Sequence, residues 1–309
     1  MGHSVQYGEE YYDQLTMDKV LDYATAKGLE VRYETTMVKL VKTGERVTGI
    51  IAKRADGAYV RINASKGVIL CTGGYSANLQ MMETLQPWSL EQCCINYSKS
   101  SAKGDGIKAC LWAGATMDDT HSAMIFERGA IKPDQAGKTD DGQLFWMGSQ
   151  PFLKVNLNGK RFMNEYMPYD YVLHTASTQP HHTYVTVWDS NYPAYCEKFD
   201  THGCSRLFLH ENGAYPVFPM EMVMGMNEEL IAGGYIVKAD TIEELGEKLG
   251  LPVDTFKATV ARYNELYAKG VDEDFGKEAY RLSAMDTAPF YGVRQAGGYL
   301  IHHKYNKHC

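Results

Sequence analysis

The sequence has no excess of basic residues. Lys and Arg total 31 against 38 Asp and Glu, a formal net charge of −7 over 309 residues. A general nucleic-acid binder needs a clustered basic surface, so that class is excluded. No run approaches the ~18 consecutive apolar residues of a membrane span. No basic stretch followed by an apolar core opens the chain, so a signal peptide is not expected at its start. The seven cysteines (Cys71, Cys93, Cys94, Cys110, Cys196, Cys204 and Cys309) are odd in number and show no C-x-x-C pair. They read as reduced thiols of a cytoplasmic protein without a metal site. Adjacent Cys93 and Cys94 are the one pair placed for redox chemistry. No internal repeat or low-complexity linker occurs. Charged residues are 22% and apolar residues 44%, which excludes wholesale disorder. The length leaves room for roughly two domains. Tyrosine, at 22, and methionine, at 15, are abundant.

Apolar positions Met17, Val20, Leu21 and Ala24 recur at helical spacing, predicting a helix over 15–27 that stops at Gly28. Three strand patterns follow, 36–41, 47–53 and 59–63, joined by turns at Thr43-Gly44 and Asp56-Gly57. They predict a three-stranded meander. The apolar run Gly67–Cys71 reads as a short strand buried on both faces. It ends in Thr72-Gly73-Gly74-Tyr75, which marks either a tight turn or a close backbone approach to a ligand. Gly104-Asp105-Gly106 opens a helix reaching Trp112. Its N–H groups suit an anion or a polarised cofactor. Asp105 is alternatively an ordinary N-terminal cap.

Further on, Asn158-Gly159 is a hairpin-type turn and 184–188 a strand. His181-His182 reads as a turn. Thr241 and Glu244 form a capping box before a helix closed by Gly250. Phe256, Val260, Tyr263 and Tyr267 line one face of the next helix, which ends at Gly270, and read as core. His302, His303, His308 and Cys309 have zinc-ligand chemistry at no standard spacing.

In order, the meander, Cys71-Thr72-Gly73-Gly74-Tyr75 and Gly104-Asp105-Gly106 resemble the flavin domain of the FAD-dependent fumarate reductase and succinate dehydrogenase flavoprotein family. Asn158-Gly159-Lys160-Arg161-Phe162-Met163-Asn164-Glu165, Thr259–Asn264 and Ala288–Val293 resemble segments of that family's capping domain. The resemblance implies an α/β fold. A partial FAD-binding Rossmann-like domain (1–119) precedes an α+β substrate-capping domain (120–295). Residues 296–309 then return toward the first, with Gly297-Gly298 at the crossing. The family's opening Gly-x-Gly-x-x-Gly and its closing glycine-rich segment are not matched. The chain therefore reads as a fragment of a longer flavoprotein, and since relatives often carry an export signal in the part not matched here, localisation stays open.

By the same resemblance, Met37 and Val38 lie against the adenine, Thr72, Gly73 and Gly74 against the diphosphate and ribityl side, and Asp105 reaches the cofactor. Tyr169 stands where fumarate reductases place their acid Arg, with Asp170 matching the acid after it. The family's Thr-Glu pair aligns with Leu144 and Phe145, and its carboxylate-binding His with Ile125, near His121. A dicarboxylate would lose its hydration there without compensation. Flavin ketosteroid dehydrogenases, similar in design, use tyrosines near the flavin. The expectation is an FAD-dependent oxidoreductase passing hydride between the flavin and an activated C=C bond of a less charged, steroid-like small molecule. Tyr169 and Asp170 are its catalytic candidates, and its electron donor is unspecified. A fumarate- or urocanate-type reductase, or a non-catalytic capping fragment, are the alternatives. Arg161 and Glu165 read as a structural ion pair.

Overall fold

The computed structural model describes residues 6–7, 10–11, 13–96, 101–119, 121, 123–199 and 220–300. Its first elements are the short strands β1 (Gln6–Tyr7) and β2 (Glu10–Tyr11), helix α1 (Asp13–Ala26), and strands β3 (Thr35–Thr43), β4 (Arg46–Arg54) and β5 (Tyr59–Asn63). Helices α2 (Leu79–Leu85) and α3 (Pro87–Gln92), strand β6 (Cys93–Asn96) and helix α4 (Asp105–Trp112) follow. Then come β7 (Met124–Ile131), β8 (Gln143–Leu144), β9 (Leu153–Asn156), α5 (Tyr169–Ala176), β10 (Tyr184–Trp188) and α6 (Tyr192–Lys198). The last are α7 (Met220–Ala232), β11 (Ile236–Ala239), α8 (Ile242–Lys248), α9 (Val253–Lys269) and β12 (Phe290–Leu300). They form two compact units, one from 2–86 and 98–123, the other from 87–97 and 124–300.

The first unit contains the expected meander, antiparallel in the order β3-β4-β5. Leu40 and Val47 bury against Ala109 and Cys110 of α4, and Met37, Val68 and Leu70 pack around them. The run Gly67–Cys71 is not the doubly buried strand its composition predicts. Val68 and Leu70 face the cluster, but Ile69 is 91% exposed and Cys71 is exposed too. The alternation of an extended segment is present, yet among the described residues no strand pairs with it. Without a neighbour its backbone has no ladder to join.

The second unit is built on a sheet in the order β8-β7-β12-β10-β9, with β11 and β6 also paired to β12. Along β10, Val185 and Val187 face one side with Leu153 and Val155, against Leu245, Leu249, Phe256, Val260 and Tyr263. Trp188 and Val293 face the other side with Phe145 and Phe152, against Tyr192, Cys196, Phe199, Val223 and Leu230. Helices thus cover both faces, which explains why all five residues of β10 are buried. Segment 87–97, which the sequence reading assigned to the first domain, belongs here because β6 pairs in parallel with β12. Gly297 and Gly298 are residues of central strand β12. A Cβ on Gly297 would lie 2.8 Å from Cys93 Sγ and from Leu173 Cδ1. One on Gly298 would lie 2.6 Å from Phe126 Cε2. Leu173 of α5 at Gly297, and Phe126 of β7 at Gly298, approach this closely only because both side chains are missing.

The predicted cap forms. Thr241 Oγ1 accepts from Glu244 N–H at 3.1 Å, and the Glu244 carboxylate accepts from Asp240 N–H at 2.9 Å. Thr241→Ala is expected to lose about 1 kcal/mol, read as a lower urea midpoint at unchanged m-value.

Candidate functional site

In the first unit the two glycine motifs, some thirty residues apart in sequence, lie side by side. Gly104 N–H donates to Gly74 O at 3.0 Å, and Ala77 N–H to Ala102 O at 2.9 Å. Asn78 Nδ2 donates to Lys103 O at 3.1 Å. A Cβ on Gly106 would sit 1.9 Å from Thr72 Oγ1, so the threonine side chain rests on the first turn of α4. Gly104 is the N-cap of α4, in the left-handed region at φ 73°, and offers no side-chain cap. The alternative of Asp105 as cap is therefore overturned. Asp105 is the first helical residue, and its carboxylate pairs with Lys108 Nζ at 2.8 Å.

Gly73, also left-handed at φ 74°, has nothing within 4 Å of the position a Cβ would take. Thr72 and Gly73 are exposed, while Gly74, Tyr75 and Ser76 are buried. An exposed turn open to close approach thus lies beside a helix start without a side-chain cap, where N–H groups and the helix dipole favour negative charge. Lys108 offsets the carboxylate of Asp105, which would otherwise oppose an anion there.

Met37 faces the α4 cluster from β3. The β3–β4 register skips one residue between Met37 and Lys39, so Val38 occupies a bulge, has no cross-strand partner and is exposed. A bulge leaves backbone groups outside the ladder, consistent with a contact made through the main chain.

In the second unit Tyr169 and Asp170 are the first residues of α5, after Pro168. The Tyr169 side chain lies outside the described residues. Phe145 is wholly buried, its ring stacked on Trp188 at 5.4 Å, and Ile125 is buried as well. The places aligned with a carboxylate-binding Glu and His are therefore core packing.

Arg161 and Glu165 form the expected ion pair as part of a larger network. The Arg161 guanidinium donates to both Glu165 oxygens at 2.8 Å and to Asp272 at 2.8 and 2.7 Å. Lys277 Nζ reaches Glu165 Oε2 at 2.8 Å. Burial alone would raise both carboxyls. The charges and hydrogen bonds of Lys277 and Arg161 hold Glu165 below its usual value. Arg161 and backbone N–H groups hold Asp272 well below. Sequence reasoning missed Lys277 and Asp272, more than a hundred residues away from Arg161, and the buried Glu127 and Lys154.

Cys93 and Cys94 do not form a reactive pair. Both thiols are buried and free, and burial pushes both up, Cys94 to about 12. Thiolate chemistry is suppressed at such values. His181 and His182 occupy a turn at positive φ, as expected. Among the described residues no group of three or more metal-ligating side chains gathers, and no helix is long and apolar enough to cross a membrane. His302, His303, His308, Cys204 and Cys309 lie outside the described residues.

Residues 14–301 match the family described as FAD binding domain. The chain belongs to that family. FAD is the cofactor the match indicates, and the junction of the two glycine motifs fits it. Gly73, where no Cβ blocks approach, and the α4 N-terminus, which has no side-chain cap, are the places that would receive its diphosphate. The family member is 29% identical over 283 residues to the vinyl phenol reductase of Lactiplantibacillus plantarum, covering 89% of this chain and 56% of the relative. It is 31% identical over 294 residues to the 3-oxosteroid 1-dehydrogenase of Mycobacterium tuberculosis strain ATCC 25618 / H37Rv, covering 88% and 49%. It resembles the open conformation of a flavocytochrome c3 fumarate reductase with a TM-score of 0.58 at 25% identity, covering 92% of this chain and 44% of that one. The 3-ketosteroid Δ4-(5α)-dehydrogenase of Rhodococcus jostii RHA1 shares the fold, with a TM-score of 0.64 at 20% identity and coverages of 97% and 55%. The chain thus spans about half the length of these relatives.

Gly104→Val tests the junction. The new Cβ would meet Met81 Sδ at 2.7 Å and Tyr75 Cβ at 2.9 Å, in a backbone region closed to β-branched residues. A loss of about 2–3 kcal/mol is expected from strain and overpacking, together with at least roughly tenfold weaker FAD binding. Both are measurable by urea unfolding and flavin fluorescence titration. Gly44→Ala, also at positive φ but in open space, is the control that leaves FAD affinity unchanged.

Proposed function

We propose that the protein works as an FAD-dependent oxidoreductase on the C–C/C=C bond of a small molecule that is not a dicarboxylate, of the enone or steroid-like kind. The observation that carries the substrate class is Phe145, fully buried and stacked on Trp188 where a fumarate site would place a carboxylate ligand. With core packing at that place, the residue that would pair a substrate carboxylate is missing, and a carboxylate stripped of its hydration there would go uncompensated. Relatives named for vinyl phenol and 3-oxosteroids support the same class.

FAD, when bound, supplies the hydride chemistry. This chain's residues hold the cofactor at Thr72, Gly73, Gly74 and the start of α4, with Met37, Val38 and Asp105 as further contacts. Tyr169 exchanges the proton at the carbon next to the hydride-accepting one. A phenol has a reference pKa of about 10, so it is protonated at neutral pH and can donate. As the first residue of α5 it lies at the positive end of the helix dipole, which favours the phenolate left behind. Asp170, next in the same turn, is its partner for returning the proton. The electron donor stays unassigned.

The test is a visible spectrum of the full chain with FAD added, followed by chemical reduction and mixing with either a steroid enone or fumarate. Flavin absorbance returning with the enone and not with fumarate is the expected result. Faster return with fumarate would select the dicarboxylate reading, which relatives named as fumarate reductases keep in view. A chain that takes up no flavin at all would support the non-catalytic fragment.

A further inference from the structure

One face of the capping sheet carries a cluster of polar groups with no part in the reaction above. Tyr184 of β10 stands across from Gln295 of β12, and Thr186 across from Lys154 of β9. The Thr186 hydroxyl donates to the Gln295 amide oxygen, and Gln295 Nε2 donates to Glu127 O of β7 at 3.2 Å. The register of β7 against β12 is irregular beside Glu127, so its side chain departs from the regular alternation.

Glu127 is 1% exposed and Lys154 is 0% exposed. Lys154 Nζ donates to Gln150 O at 2.8 Å. Arg128 Nε donates to Ser149 Oγ at 2.9 Å, and that serine hydroxyl in turn bears on the Glu127 carboxyl. Two buried oxygens, Glu127 Oε2 and the Tyr184 hydroxyl, find no hydrogen-bond partner among the described residues. Buried polar atoms are seldom orphaned, and ordered water is their usual partner in a polar site. A phenol and a carboxylate are also complementary, since one donates to a water and the other accepts from it.

We infer that Glu127 and Tyr184 bind a buried water between them, and that the buried Glu127 carboxyl, on the sheet face that also carries Lys154, holds an exchangeable proton inside the capping unit. The charged and titratable groups facing the pair come from several elements. Lys154, Arg128 and Ser149 face Glu127, while Glu165 and Lys277 face Lys154. Tyr184 faces Glu127 and the thiols of Cys94 and Cys93. Burial pushes the Glu127 carboxyl up to about 7, against the attraction of Lys154. Burial also pushes the Lys154 ammonium down to about 8, against the attraction of Glu127. The two groups therefore compete for a proton over one narrow range.

The signs follow from linkage. Between about 4.5 and 7 the folded protein binds more protons at Glu127 than the unfolded chain does, so this group's contribution to stability falls as pH rises. Between about 8 and 10.5 the folded protein binds fewer at Lys154, so stability is regained.

The experiment is an infrared pH titration of the full chain, with Glu127→Gln, Lys154→Met and Tyr184→Phe alongside, plus a crystal structure of the wild type. A protonated-carboxyl band that disappears as pH rises through neutrality and is missing from Glu127→Gln is expected. In Lys154→Met the same band should persist upward by at least about one pH unit, because the cation favouring the carboxylate is gone. In Tyr184→Phe it should shift in frequency. The crystal structure should show a water within hydrogen-bond reach of both oxygens. Superimposable wild-type and Glu127→Gln spectra overturn the proton site, and a dry contact between the oxygens overturns the water. If Glu127→Gln does not fold, an unmoved midpoint in Lys154→Met is the overturning result.

Discussion

Arg161→Met is expected to destabilise the protein by about 3–5 kcal/mol, the largest stability effect of any single change considered. The guanidinium serves Glu165 and Asp272 at once, both with buried side chains. Methionine fills much of the space but leaves Glu165 to Lys277, whose Nζ lies 2.8 Å away, and leaves Asp272 with backbone N–H donors in place of its cation. An unpaired buried charge costs far more than the pair returned when intact, because its hydration is already lost. Urea unfolding of the variant measures the difference, and a loss under about 1 kcal/mol would sink the argument. Acid has a related effect. Glu165 and Asp272 are held below their ordinary values of 4.5 and 3.8. Their contribution is therefore complete above those values and is lost as pH falls through the lower, folded ones. Arg161→Met should flatten that acid limb of the stability profile, since Asp272 loses its main depressing group and Glu165 one of its two.

Tyr169→Phe is expected to lower turnover on an enone by roughly 10²–10⁴-fold, the usual contribution of a positioned general acid or base. The ring is kept and only the exchangeable proton goes, so flavin binding and the flavin spectrum should be unchanged. Rapid mixing of reduced enzyme with substrate separates the two effects. Slower reoxidation at unaltered flavin affinity supports the assignment, and undiminished turnover removes it. Asp170→Asn should cost less, because it would act on proton return and not on the reacting carbon.

Much of the local structure was legible in the sequence. The meander, the Asn158-Gly159 hairpin, β10 and the aromatic face of α9 all carry their signal within ten to twenty residues, in alternation, helical spacing or turn chemistry. The run Gly67–Cys71 was misread for an instructive reason. Its apolar composition describes what a strand could bury, whereas strand formation requires a neighbour with free backbone groups. Lys277 and Asp272 left no local trace as partners of Arg161, since each is an ordinary charged residue until folding brings them together.

The resemblance carried by motif order pointed to the family and the cofactor, and residue types alone marked the two glycine motifs as places of close backbone approach or tight turn. Only the tertiary structure decided that Gly104, not Asp105, caps α4, that Thr72 rests on Gly106, and that Glu127 and Lys154 share a sealed interior. The reason is physical. Backbone permissiveness is a property of a residue, but burial, and the charge behaviour that follows from it, belongs to the neighbours that folding supplies.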